Sequence, residues 1–327
     1  MQFDLLILQN LPDGILMRKL TAADQMLLQT GRYDLDDDEK LKLRYTAIDP
    51  MDRYVRCGCG KPGCWTNELR PLREHMTALI RTILSFGYRG LIDGGQNPWP
   101  GTFYALHMAV SIEDVFVDPA YIDESDSALY CDPAWEFDEE QREQSAKYVA
   151  ALSIFNFTWT AYEAAIENAL GPEYSNDKIP VQARKFFKVS DEQCWDTMRA
   201  FRGSYRVAKQ ICSRIPDLQG DIELIETKYG LTGAAAAAEL VRIFRNHIFH
   251  GKDSTPLWGG LAKVSHFYAT TRLLLMLIQN LLLLKARDTE SDIPLSLVIE
   301  EKGNRPARFV LLNLHRPEAQ WTPNSTR

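Results

Sequence analysis

The sequence predicts an α+β protein built in two parts. Residues 1–140 read as a mixed α/β domain, residues 141–290 as an up-and-down bundle of four helices, and residues 291–327 as a β-hairpin with a loose tail. Three observations carry this. Apolar residues near the N-terminus alternate as strands do: Phe3, Leu5 and Ile7, then Ile15-Leu16-Met17 after a turn at Pro12-Asp13-Gly14. Beyond about residue 140 the apolar residues recur instead at spacings of three and four. Near the C-terminus two short apolar runs, Leu295–Ile299 and Phe309–Leu312, flank a turn at Gly303-Asn304.

Composition narrows the class. A chain of 327 residues, 45% hydrophobic and 25% charged, is a folded globular protein with room for two cores. A net charge of −7 argues against nucleic-acid binding by the surface as a whole. The charge is unevenly spread, however. Residues 111–145 hold twelve acidic side chains against Arg142 alone, whereas residues 181–214 hold eight basic and three acidic ones, so a local basic face is available. Met1-Gln2-Phe3-Asp4 lacks the basic start of a signal peptide. The apolar run Leu273–Leu284 is shorter than a bilayer span and reads as a core helix. Of six cysteines, three crowd together and Cys131, Cys194 and Cys212 stand singly, unlike a secreted disulfide framework. The expectation is a cytoplasmic protein with no membrane partner.

Taken in order, the strand-like start is followed by an acidic run, Asp34 to Glu39, which reads as a solvated loop, and by an extended segment at 41–56. Then comes Cys57-Gly58-Cys59-Gly60-Lys61-Pro62-Gly63-Cys64. The glycines let the backbone curl until several sulfurs face one centre. Three thiolates fall one short of the tetrahedral set that zinc needs, so Cys131 or His75 would complete it. Free cysteines or a redox pair are the other readings of the cluster. The cluster resembles the zinc knuckle that follows SET methyltransferase domains, a resemblance that implies structural zinc and extends no further along the chain.

Pro71 to Phe86 is predicted as a helix, with Pro71 in the first turn, Gly87 at the stop, and an apolar stripe of Leu72, Met76, Leu79, Ile80 and Ile83. His75 lies beside the stripe and reads as a helix-surface residue. The Gly/Pro-rich loop at 94–101 lacks the Gly-Lys-Ser/Thr of a phosphate cradle. Tyr104 to Val117 read as a strand and 118–145 as a surface linker. The first long helix is predicted from Glu143 to Leu170, on the stripe Tyr148, Leu152, Phe155, Trp159, Tyr162, Ile166 and Leu170. A second starts near Ser190 and buries Cys194, Met198, Phe201, Tyr205, Ala208 and Cys212. Its other side shows Arg199, Arg202, Arg206 and Lys209, with no acidic partners four residues on. A third spans Gly220 to His250 with a break near Gly230–Gly233, and a fourth spans Leu261 to Arg287.

The third helix ends in Arg245-Asn246-His247-Ile248-Phe249-His250-Gly251. Leu240, Phe244 and Ile248 share one face. Arg242, Asn246 and His250 keep the same spacing two residues out of phase, about 200° around the helix, and so point away from the core with Arg245 flanking them. This inventory suits phosphodiester cleavage in RNA. Histidine can take the 2′-hydroxyl proton near neutrality, arginine can hold the developing phosphorane charge, and Asn246 can hold the histidine or a phosphate oxygen. The same residues also suit an ordinary helix end, where the dipole favours cations and glycine stops the helix.

Arg245-Asn246 followed by His250, late in a helical bundle, resembles the R-x4–6-H signature of the HEPN superfamily. Trp159, Tyr162 and Glu163 look like part of a HEPN first helix. The likeness covers about residues 143–288 and is nearest to the ApeA-like anti-phage and toxin proteins. The resemblance implies a metal-independent endoribonuclease that dimerises to bring two Arg/His sets into one cleft, with Arg245, Asn246 and His250 catalytic. His247 would be a substrate contact, and Arg199, Arg202, Arg206 and Lys209 would follow the RNA backbone. The N-terminal part, with zinc on Cys57, Cys59, Cys64 and Cys131, would meet a trigger or an antitoxin. A catalytically inactive HEPN module for dimerisation or RNA binding is the alternative.

Overall fold

The computed structural model describes residues 54–55, 67–112, 115–117, 132–174, 176–190, 198, 200–251 and 260–321. The strand-like start, the acidic run, Cys57, Cys59, Cys64, Cys131, Cys194 and Arg199 lie outside the described residues. What is described is mostly helical, with two small antiparallel sheets. Strand β1 (Tyr54–Val55) pairs with β2 (Asn67–Glu68), Tyr54 opposite Glu68. Helices follow: α1 (Leu72–Tyr88), α2 (Pro100–Ser111), α3 (Asp132–Ala169), α4 (Ile179–Ser190), α5 (Phe201–Cys212), α6 (Pro216–Thr227), α7 (Gly233–Phe249) and α8 (Gly260–Lys285). Strands β3 (Asp292–Pro294) and β4 (Asn304–Pro306) then form a hairpin that leads into α9 (Ala307–Asn313).

Helix α8 is the hub, packed by α1, α3, α5, α7 and α9. That position explains its composition: from Leu273 to Leu282 every side chain is buried, the polar Gln279 and Asn280 included. Val264–Lys285 is long and apolar enough to cross a membrane, but 89% of its most apolar window is buried inside the protein. Three phenylalanines close the centre, Phe155 from α3, Phe244 from α7 and Phe267 from α8. Their ring centroids lie 5.3, 5.5 and 5.8 Å apart, and two of the three pairs meet edge to face.

The stripes of α1 and α3 are buried as their spacing requires: Leu72, Met76, Leu79, Ile80 and Ile83 on one, Tyr148, Phe155, Trp159, Tyr162 and Ile166 on the other. Several expected boundaries move. Helix α3 begins at Asp132, inside the segment read as a linker, and so runs through the expected domain boundary at residue 140. With α1 and α2 packed on α8 and α3, the described residues share one core from Leu69 to Trp321. Ser190 ends α4 instead of starting the next helix.

Tyr104 to Ser111 are helical, not extended. Pro100 opens α2, and small residues at intervals of four (Gly101, Ala105, Ala109) let it lie close on α3. A Cβ at Gly101 would sit 2.9 Å from that of Ala164. Gly87 is not a helix stop either: it lies within α1 because a side chain there would strike Pro98, 2.3 Å away, and the left-handed turn falls at Gly90. In the tail, the hairpin is shifted from the expected runs. Leu295–Leu297 form a 3₁₀ turn, and Phe309–Leu312 belong to α9 and are buried on all sides, which removes the period that separates strand from helix.

His75 is fully buried, not on the surface. Its Nε2 lies 2.9 Å from Gln279 Oε1, and Arg272 Nη1 lies 3.4 Å from its Nδ1. The Gln279 amide nitrogen donates to the Leu311 carbonyl and to His315 Nδ1 at 3.1 Å. Arg70 adds a bond from its Nε to the Leu314 carbonyl at 2.9 Å and an ion pair with Glu318. This polar network ties the C-terminal segment to α1 and α8.

Candidate active site

Helix α7 carries the motif. Gly230 and Gly233, both at positive φ, separate it from α6. Ala234 to Ala238 are all buried, a full turn of small side chains in a helix that packs against α4. The helix ends where His250 N–H bonds the Asn246 carbonyl and Gly251, at φ 69°, bonds back to Ile248 O, both at 3.0 Å. Leu240 and Phe244 are buried in the core. Arg242, Arg245 and Asn246 are half-buried, and His250 is exposed.

The two arginines of the last turns have different surroundings. Arg242 is clamped by Glu239, Nε to Oε2 at 3.0 Å and Nη2 to Oε1 at 2.7 Å. Arg184 of α4 reaches the same carboxylate at 3.2 Å, so Glu239, itself 2% exposed, bridges two arginines in a structural triad. The Glu239 bond holds the Arg242 guanidinium's pKa above its ordinary value, against the effect of burial. Arg245 makes no ion pair among the described residues. Its guanidinium carbon lies 4.1 Å from the Phe249 ring centre and 5.6 Å from that of Trp159, and its buried Nε has no hydrogen-bond partner. Aromatic faces hold the cation in place without consuming its donors.

Glu163 of α3 lies beside this cation. Burial pushes its carboxyl up from the ordinary range, the Trp159 indole and Arg245 pull it down, Glu167 adds a smaller upward push, and the net shift is upward. The residue entered the sequence reading only as part of a helix pattern. A glutamate four residues after a buried tryptophan, on the rim of the core stripe, is the signal that marks it.

His247 is buried, at 6% exposure, and so stands apart from the exposed end of the helix where a substrate contact was expected. In the basic stripe on α5, Arg206 is exposed, Arg202 is half-buried, and Lys209 pairs with Glu226 of α6 at 2.8 Å. Glu226 also accepts from the Tyr205 hydroxyl at 3.1 Å. The stripe is thus partly neutralised by a neighbouring helix.

Among the described residues no three His, Cys, Asp or Glu side chains converge as a metal site. His75 does not fit as a zinc ligand, because one ring nitrogen faces Gln279 and the other faces a guanidinium. The chain that leaves β1 and returns at β2 carries Cys57, Cys59 and Cys64. Set against protein-family models, curated proteins and solved structures, the chain has no match.

Proposed function

We propose that this protein is a metal-independent endoribonuclease of the HEPN type, in which Arg245, Asn246 and His250 cut RNA. The observation that carries the reading is the contrast within α7: Arg242 is consumed by Glu239, while Arg245, three residues on, makes no ion pair among the described residues and lies against an aromatic ring one residue before an exposed histidine. A guanidinium held by rings, with Glu163 near it but not bonded to it, can still bind a phosphate.

In the proposed reaction His250 takes the proton of a ribose 2′-hydroxyl. The 2′-oxygen attacks the adjacent phosphorus and the bond from phosphorus to the 5′-oxygen breaks. That oxygen leaves with a proton from an imidazolium, giving a 2′,3′-cyclic phosphate and a 5′-hydroxyl. Arg245 stabilises the charge that builds on the phosphoryl oxygens, and Asn246 positions a phosphate oxygen or the histidine. The chain acts as a homodimer that brings two such helix ends into one cleft, as a cytoplasmic toxin or anti-phage effector. Zinc on Cys57, Cys59, Cys64 and Cys131 is structural in this reading, and the N-terminal part receives the trigger or antitoxin.

The test is an RNA-cleavage assay of wild type beside His250→Ala and Arg245→Ala, with end-group mapping, light scattering and an EDTA arm. Both variants should lose cleavage by at least about a hundredfold while remaining dimeric. EDTA should leave wild-type cleavage intact. Cleavage undiminished in His250→Ala, or abolished by EDTA, would sink the reading.

A further inference from the structure

The two helices that flank the outer side of α7 carry opposite charge. Helix α4 has three basic residues, Arg184, Lys185 and Lys188, and no acidic one. Helix α6 has four acidic residues, Asp217, Asp221, Glu223 and Glu226, and no basic one. Both pack on α7. A row of charges crosses between them. Arg184 of α4 reaches Glu239, Glu239 clamps Arg242, and Asp221 of α6 bears on the same guanidinium, helping to hold its pKa up. Helical spacing sets Lys188 beside Arg184 and Asp217 beside Asp221, each four residues apart. Lys188, Asp217 and Asp221 are exposed. Other charges nearby are engaged elsewhere: Lys185 pairs with Asp177 at 2.6 Å, Glu226 pairs with Lys209, and Lys228 lies over the Tyr229 ring. Glu163 bears on Arg245, one turn further along α7. Each flank also ends in open apolar surface, Val189 at 80% exposure next to Lys188 and Tyr229 at 42% just past α6.

Such a face is a poor track for an anionic polymer, because its acidic flank repels the chain that its basic flank attracts. It is instead complementary to a copy of itself. The signs are divided from side to side across α7, not from end to end along it. A two-fold axis lying in the contact plane and running across α7 would set α4 on α4 and α6 on α6, like on like. An axis running along α7 sets α4 of each copy on α6 of the other and pairs unlike charges twice. That same axis leaves the two α7 helices parallel. Their last turns, with Arg245 and His250, then lie at the same end of the contact.

We infer that the face formed by α4, α7 and α6 is the contact between two copies of this chain, with Arg184 and Lys188 of each copy against Asp217 and Asp221 of the other. Val189 and Tyr229 supply the apolar area that exposed ion pairs, weak by themselves, do not. This contact rests on the ribonuclease reading, which calls for two copies, and adds to it the face, the direction of the two-fold axis and the charges that choose it.

The test is sedimentation equilibrium of the full chain, with RNA cleavage measured in parallel. Lys188→Glu and Asp217→Lys should each weaken self-association by about tenfold, since each puts like charges together at two symmetric places. An equimolar mixture of the two single variants should recover the wild-type association, because their heterodimer has an unlike pair at both places. The double variant should recover it too. Recovery in the mixture also shows that both variants fold. Raising NaCl from about 0.1 M to about 1 M should weaken the wild-type dimer and narrow its advantage over the single variants. Association unchanged in both single variants, or weakened in both with no recovery in the mixture, overturns the inference. So does a Lys188→Glu variant that loses RNA affinity while its association stays the same, which would make α4 part of an RNA path. Cleavage by a dimer indifferent to these charges removes this inference alone. A dimer that follows the charge pattern but cuts no RNA removes the ribonuclease reading alone. Protein that stays monomeric and cuts nothing removes both.

Discussion

Acid should destabilise this protein through His75, and the structure sets the sign. The ring is fully buried, with Gln279 Oε1 accepting from Nε2 and Arg272 donating toward Nδ1, which is the pattern of a neutral imidazole. A second proton would face the guanidinium directly. Burial first, then Arg272, His315 and Arg70, hold the pKa of His75 well below its ordinary value of 6.5, with the Gln279 bond opposing in part. In the unfolded chain the ring titrates normally. Below pH 6.5 the unfolded state therefore gains a proton that the folded state refuses, and stability falls until the pH reaches the folded value. The slope approaches about 1.4 kcal/mol per pH unit for one such group as long as the folded ring stays neutral. Urea denaturation from about pH 7.5 to about pH 5 would measure it on wild type and on His75→Gln, whose amide does not titrate. The variant can be less stable throughout. Its curve should nevertheless be flatter than wild type by that slope. Parallel curves would refute the reasoning, because they would mean that folding does not hold His75 neutral.

Two further outcomes follow from packing. Glu239→Ala leaves Arg184 and Arg242 facing each other without their carboxylate. Since both side chains are 30% exposed, water offsets part of the penalty of a broken buried pair, and a loss of about 2–3 kcal/mol in urea denaturation is expected. Phe244→Ala opens a cavity in the three-phenylalanine cluster and should cost about 3–5 kcal/mol, seen as a lower thermal midpoint.

What could be read in advance follows from where each signal lies. The stripes of α1 and α3 were legible because each helix is buried on one side, so its period survives in the sequence. Helix α8 was legible by length and uniform apolarity. Helices α2 and α9 were not, because the partners that bury them come from distant parts of the chain: α3 against the Gly101-Ala105-Ala109 face, and α8 together with α1 against the tail. His75 was misplaced for the same reason. Its own helix shows an apolar stripe beside it, and Arg272, Gln279 and His315, at least 197 residues away, enclose it. At the site, Glu239 and Arg242 at a spacing of three were a readable ion pair, whereas the Lys209–Glu226 bridge crosses two helices and left no local trace.

The arrangement of α7 also determines what substitutions there can mean. Up to Phe244 the helix is fixed from several sides: it packs on α4, Phe244 sits among Phe155 and Phe267, and Glu239 binds Arg242 to Arg184. Past Phe244 only His247 and Ile248 still face inward. The last turn holds Arg245 against two rings and leaves Phe249 and His250 at the surface. A rigid helix that ends in an exposed polar turn positions its final side chains without making them necessary for folding. Removal of Phe249 or His250 should therefore change stability by no more than about 0.5 kcal/mol, against several for Phe244. A functional defect in either variant, with an unaltered melting curve, would then report on what the turn does and not on whether the bundle folds. A large loss of stability in His250→Ala would place the imidazole in the structure, as a helix cap, and take it out of the chemistry.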